Sequence, residues 1–125
     1  MRTFNTQRPL QLSNSLYVQT VKNGGCTIGY NFESPSLGYA VGIGIGITFD
    51  GVSNINPHKL SSFIKENEEL IKDGFFIGGW IDYVDNKVYF DIVDIIFNHN
   101  DAVDLAKLKG EKCIYDIENN NIIDV

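Results

Sequence analysis

The stretch Gly38 to Gly51, GYAVGIGIGITFDG, restricts this chain more than any other part of it. Glycine stands at positions 42, 44 and 46, alternating with Val41, Ile43, Ile45 and Ile47. A dinucleotide-binding loop needs G-x-G-x-x-G between a strand and the start of a helix, where backbone N–H groups and the helix N-terminus hold a pyrophosphate. The third glycine of that pattern would have to be residue 47, which is Ile47, and no Walker-type lysine follows. Period-two alternation predicts a strand instead, with Val41, Ile43, Ile45, Ile47 and Phe49 on one face and the glycines on the other. A face without side chains weakens a strand, so a neighbouring backbone, an aromatic ring or a ligand is expected to come close there. Close packing of protein on protein is weighed ahead of a ligand.

At 125 residues the chain has the length of one domain, able to bury roughly two thirds of its unfolded surface. Cys26 and Cys113 have neither C-x-x-C nor zinc spacing and read as free thiols of a reducing compartment. The opening MRTFNTQRPLQLS lacks the apolar centre of a signal peptide, and the longest apolar run is too short and glycine-rich to span a bilayer. A soluble cytoplasmic protein with no membrane partner is expected. The net charge of −6, with Arg2 and Arg8 the only arginines, argues against a binder of duplex nucleic acid, which needs a basic stripe. Positive charge is densest at Lys107, Lys109 and Lys112. Such a cluster is usually a solvated helix end, but an anion site in an acidic protein has few other places to sit.

Along the chain, Leu16 to Val21 alternates and precedes Asn23-Gly24-Gly25, which predicts a hairpin returning through Cys26 to Phe32. Asn56-Pro57 opens a helix whose apolar stripe is Leu60, Phe63, Ile64, Leu70 and Ile71, and Asp73-Gly74 stops it. In GFFIGGWIDYVDNKVYFDIVDIIF a two-residue turn at Asp85-Asn86 pairs Tyr83 with Val88, Ile81 with Phe90 and Trp80 with Asp91. One face of this hairpin, from Phe75 through Ile77, Ile81, Tyr83, Val88 and Phe90 to Ile92, is core. The other carries Phe76, Gly78, Trp80, Asp82, Tyr89, Asp91 and Val93. Aromatic rings beside carboxylates suit a stacking platform for a polar ring ligand, and suit a subunit interface equally. Asn100 is read as the cap of a second helix, Asp101 to Lys109, with Ala102, Leu105, Ala106 and Leu108 inward and Gly110 as its stop. Lys112 to Ile117 is a last strand, turned by Asn119-Asn120-Asn121 towards an apolar tail. This order predicts a single α+β domain with a mainly antiparallel sheet and two helices.

Little in the sequence supports catalysis. Nucleophilic chemistry needs a base beside Ser or Cys, and neither His58 nor His99 is tied by a motif to a nucleophile. Two isolated histidines are also no metal signature, and no cofactor is expected. Asp82 and Asp91 are the one candidate acid/base pair, as diagonal neighbours in the register above. Carboxylate pairs on strands are more often solvated or bound to backbone and lysine.

From Gly24 onward the chain resembles a family of small phage-borne proteins. The resemblance is carried by Gly24-Gly25 with Thr27, Ser34-Pro35, Gly38-Tyr39-Ala40-Val41-Gly42-Ile43, and Phe63-Ile64 with Asn67. Most specific are Ile77-Gly78-Gly79-Trp80 with Asp82, Val88-Tyr89 with Asp91, Asp101-Ala102-Val103 with Leu105, and Ile114-Tyr115-Asp116; Phe4-Asn5-Thr6-Gln7 with Pro9-Leu10 adds to them. It is similar to the first-described family of Thoeris anti-defence proteins, phage sponges that hold the cyclic ADP-ribose isomers made by bacterial TIR-domain proteins. The resemblance implies no catalysis. It implies intact sequestration of glycocyclic ADP-ribose (gcADPR) in pockets where subunits of a dimer or hexamer meet, in the cytoplasm of the infected host, with cyclic oligonucleotides as further ligands of some relatives. Where relatives use arginines on phosphate, this chain offers Lys107 and Lys109, which are point charges without the bidentate fork.

Residues and resemblance together nominate Trp80 and Tyr89 for a base, Asp82 and Asp91 for ribose hydroxyls, and Lys107, Lys109 and Arg8 for phosphate. Two other classes of function stay open: a nucleotide-cleaving enzyme using the paired carboxylates, and a phage protein-interaction module with no small ligand.

Overall fold

A computed structural model describes residues 7–125; Arg2 and Phe4-Asn5-Thr6 lie outside the described residues. The first element corrects the sequence expectation. Residues Arg8–Asn23 form a helix, α1, and not the first strand of a hairpin. Pro9, Leu12, Ser13, Leu16 and Thr20 are buried at helical spacing, and Pro9 occupies the first turn, where its missing N–H costs nothing. Gly24 ends the helix in the left-handed region, φ 81°, its N–H donating to the Thr20 carbonyl at 2.8 Å. The alternation between Leu16 and Val21 arose because Val18 and Val21 face solvent on that helix.

Five strands follow the expected plan. After α1 come β1 (Gly25–Ile28) and the long glycine strand β2 (Tyr39–Phe49). A 3-10 turn, Val52–Asn54, leads into α2 (Pro57–Glu66) and α3 (Glu68–Lys72). These were expected as one helix; Asn67 divides them, its side-chain amide donating to the Phe63 carbonyl at 2.8 Å. Asn56 caps α2 as expected, its side-chain oxygen accepting from the N–H groups of His58 and Lys59 at 3.0 and 3.1 Å. Next come β3 (Phe76–Asp82), β4 (Lys87–Ile96) and α4 (His99–Leu108). Asn98, not Asn100, caps α4, accepting from the Asp101 N–H at 3.0 Å, and Leu108 is exposed rather than inward. The chain ends in β5 (Cys113–Asp116) and β6 (Asn121–Asp124), so the apolar tail is itself a strand.

Among the described residues the result is an α+β fold: one six-stranded sheet in the order β1-β3-β4-β2-β5-β6, every pair antiparallel, with four α-helices. All four helices pack on the same face. Leu12 and Leu16 of α1 and Leu60, Phe63 and Ile64 of α2 meet Phe49, Ile77, Ile81, Val88, Phe90 and Ile92 of the sheet. Ala102 and Ala106 of α4 meet Val41 and Ile114 in a second, smaller cluster. Each fully buried large side chain here contributes about 1.5–3 kcal/mol, which is what holds the helices to that face.

The hairpin of β3 and β4 is shifted by two residues from the expected register. Its closing pair is Asp82 with Lys87, leaving a four-residue loop, Tyr83 to Asn86. Asp82 Oδ1 accepts from the N–H groups of Val84 and Asp85 at 3.0 and 3.1 Å, and Asn86 takes the left-handed conformation, φ 55°. These local bonds favour the longer loop. Because the shift is even, each residue keeps its face. Tyr83 is the exception: expected in the core, it lies in the loop and is 75% exposed.

Candidate functional site

The face of the sheet opposite the described helices holds a trough, and glycines leave much of its floor bare. Two cross-strand rows build it. One runs Gly25, Trp80, Tyr89, Thr48; the next runs Thr27, Gly78, Asp91, Gly46. Glycine thus flanks Asp91 on both neighbouring strands. The result is a trough of about 670 Å³, reaching from the C-terminal end of α1 and β1 across β3, β4 and β2 to β5.

The glycine strand β2 forms part of that floor. A two-residue insertion between Gly42 and Gly46 bulges β2, and Gly44 at its centre has φ 85°, which only glycine adopts without strain. Its neighbours have a different reason to be glycine. A Cβ at Gly42 would overlap the carboxylate of Glu111, and a Cβ at Gly46 would overlap that of Asp91. What approaches this face is therefore protein, and in particular two carboxylates of the same chain.

Those carboxylates set the electrostatics. Burial, and secondarily the nearby charge of Glu111, push Asp91 up to about 6. Cys113 in the same wall is raised by burial first, then by Asp124, Glu111 and Asp91. Burial lifts Cys26 to about 11, its thiol donating to the Gln19 side-chain oxygen at 3.6 Å, so both thiols are poor nucleophiles at neutral pH. Trp80 lies against Tyr89, ring centroids 5.5 Å apart and planes 21° from parallel, with 39% of the Trp80 surface open. A planar group can extend that stack on the free side of the indole.

Of the residues the sequence nominated, Trp80 and Asp91 line the trough, and Tyr89 backs Trp80. The others go elsewhere. Asp82 is spent on the hairpin loop; it stands opposite Lys87, whereas Asp91 stands opposite Gly78, so the expected diagonal pair does not form. Lys107 in the last turn of α4 and Lys109 at its C-cap are exposed, and α4 covers the other face of the sheet. Arg8 Nη1 donates to the Tyr30 carbonyl at 2.7 Å and to Asn31 Oδ1 at 3.2 Å, and its guanidinium lies 4.6 Å from the centroid of the Tyr30 ring. It clamps the loop after β1 to the start of α1.

Sequence reasoning missed Glu111, Thr27, Tyr115 and Gln19, all trough residues. Tyr115 was legible: it alternates with the buried Ile114, and it pairs with Ala40 on the trough face. Glu111 carried no signal, because it precedes its strand in a turn whose path only the packed fold defines.

Among the described residues no helix is long and apolar enough to cross a membrane, and no group of three His, Cys, Asp or Glu side chains is placed to hold a metal ion. In comparisons with protein families, curated proteins and solved structures, the chain matched none.

Proposed function

We propose that this protein is a non-catalytic binder that holds a small nucleotide-like molecule in the glycine-floored trough, and that its ligand is a cyclic ADP-ribose isomer of the gcADPR type. One observation carries the reading: the sheet face that the described helices leave uncovered contains a trough of about 670 Å³ with an extendable Trp80–Tyr89 stack at its side. That volume falls within the range of small-molecule sites. Stacking a base on such a ring is worth about 1–3 kcal/mol. The ligand class comes from the family resemblance, as do sequestration in the cytoplasm of an infected host, assembly as a dimer or hexamer, and cyclic oligonucleotides as further ligands. A homo-oligomer also suits the exposed aromatic surface around Trp80 and Tyr83.

The enzymatic alternative needs two carboxylates across one site, and the hairpin register parts Asp82 from Asp91. Asp91 with Glu111 is the pair that does share the trough, and the raised Asp91 has the character of a general acid. A single experiment separates the classes. The protein is incubated with cyclic ADP-ribose isomers, filtered and heat-denatured, and the released material is analysed by mass spectrometry. Intact ligand supports the binder. An altered product identifies an enzyme, and nothing retained leaves a protein-interaction module.

A further inference from the structure

We infer that the trough takes the neutral, N–H-donating end of its ligand, a nucleobase amino edge set against Asp91 and Glu111, and that any phosphate stays outside the floor. This rests on the proposal that the trough is a nucleotide-binding site.

Charge and shape together assign the orientation. Asp91 and Glu111 are the only charged side chains among the described residues lining the trough, and both are acidic. Neither forms an ion pair or a side-chain hydrogen bond with another described residue. A pyrophosphate placed on this floor would meet like charge in a partly desolvated setting, where Coulomb repulsion is least screened. An exocyclic amino group meets acceptors that have no competing partner among the described residues, and hydrogen bonds to ionised acceptors are the strong ones.

The bare floor adds a second constraint. Gly25 lies beside Trp80, and Gly46 and Gly78 lie beside Asp91, so a flat ring has room next to the indole while its edge meets the carboxylate. Trp80 and Asp91 belong to adjacent rows of one face, Trp80 opposite Tyr89 and Asp91 two residues farther along β4. Stack and acceptor are therefore neighbours, as a base needs them to be. The cationic groups first nominated for phosphate, Lys107, Lys109 and Arg8, are not among the lining residues.

The test uses fragments of the ligand as probes on the full chain. Adenosine supplies base and ribose without phosphate; inorganic pyrophosphate supplies the anion alone. By calorimetry at pH 7.5, adenosine is expected to bind, and Asp91→Asn to weaken it about tenfold or more. Glu111→Gln, which leaves Asp91 in place, serves as a second variant and is expected to weaken adenosine less. Pyrophosphate is expected to show no heat and not to displace adenosine. Pyrophosphate binding that Asp91→Asn enhances would mean the anion occupies the floor, and overturns the orientation. Binding of an intact cyclic ADP-ribose isomer that is indifferent to both variants also overturns it, while leaving the proposed function standing. No binding of any probe or of the cyclic isomers removes both.

Discussion

Asp91→Asn is expected to make the folded protein more stable at neutral pH, even though it removes a residue of the candidate site. The carboxyl titrates at 3.8 when unperturbed and at about 6 in the fold, raised by burial and by Glu111. Between those values the folded chain keeps a proton that the unfolded chain has released. Its destabilising effect therefore begins as pH rises past about 4 and is complete above about 6. A displacement of that size corresponds to about 3 kcal/mol. Residual solvent access at Asp91 screens part of it, leaving about 1–3 kcal/mol. The neighbouring groups that interact with Asp91, the Glu111 carboxylate and the Cys113 thiol, include no cation among the described residues to offset the cost. For a domain of this size about 1 kcal/mol moves the melting midpoint by roughly 3–5 °C. Calorimetric melts of wild type and Asp91→Asn at pH 4.5 and 7.5 check it. The variant should melt higher at pH 7.5, and the gap should shrink at pH 4.5. Equal midpoints at pH 7.5, or a lower one for the variant, would refute the picture of a desolvated carboxylate with no partner among the described residues.

Thr20 Oγ1 is buried without a hydrogen-bond partner, so Thr20→Val, which keeps the shape and removes the hydroxyl, is expected to raise stability by about 0.5–1 kcal/mol in chemical denaturation. Trp80→Ala should weaken ligand binding by about 1–3 kcal/mol while Tyr83→Ala, in the exposed loop, leaves the melting temperature within about 1–2 °C of wild type; the opposite pattern would return Tyr83 to the core. Lys107→Ala and Lys109→Ala should each leave ligand affinity and its salt dependence unchanged, measured by calorimetry at two salt concentrations; a marked loss in either would place the phosphates on α4. Size-exclusion chromatography with light scattering should show at least a dimer at micromolar concentration, and a clean monomer would count against the sequestering assembly.

The sequence determined those features that rest on local pattern and are reinforced by packing. Alternation over Val41 to Phe49, the Asn56-Pro57 start of α2 and the two faces of the hairpin strands, with Ile77, Ile81, Val88, Phe90 and Ile92 on one and Phe76, Gly78, Trp80, Asp82, Tyr89, Asp91 and Val93 on the other, follow from periodicity of 2 or 3.6 and from cap chemistry. Trp80, Tyr89 and Asp91 were legible as one face for the same reason. Where two local patterns competed, the window decided wrongly: six alternating residues suggested a strand at Leu16 to Val21, whereas the wider spacing of Pro9, Leu12, Leu16 and Thr20 buries a helix face against the sheet. The hairpin register turned on loop hydrogen bonds from Asp82 that spacing does not reveal. Only the tertiary structure decided what the glycines are for and where charge sits. Glu111 reaches Gly42 from a different part of the chain, and α4 carries Lys107 and Lys109 to the covered side of the sheet. Both depend on the order in which strands pair and on the single face that collects all the helices, and these are properties of global packing that no local run of residues encodes.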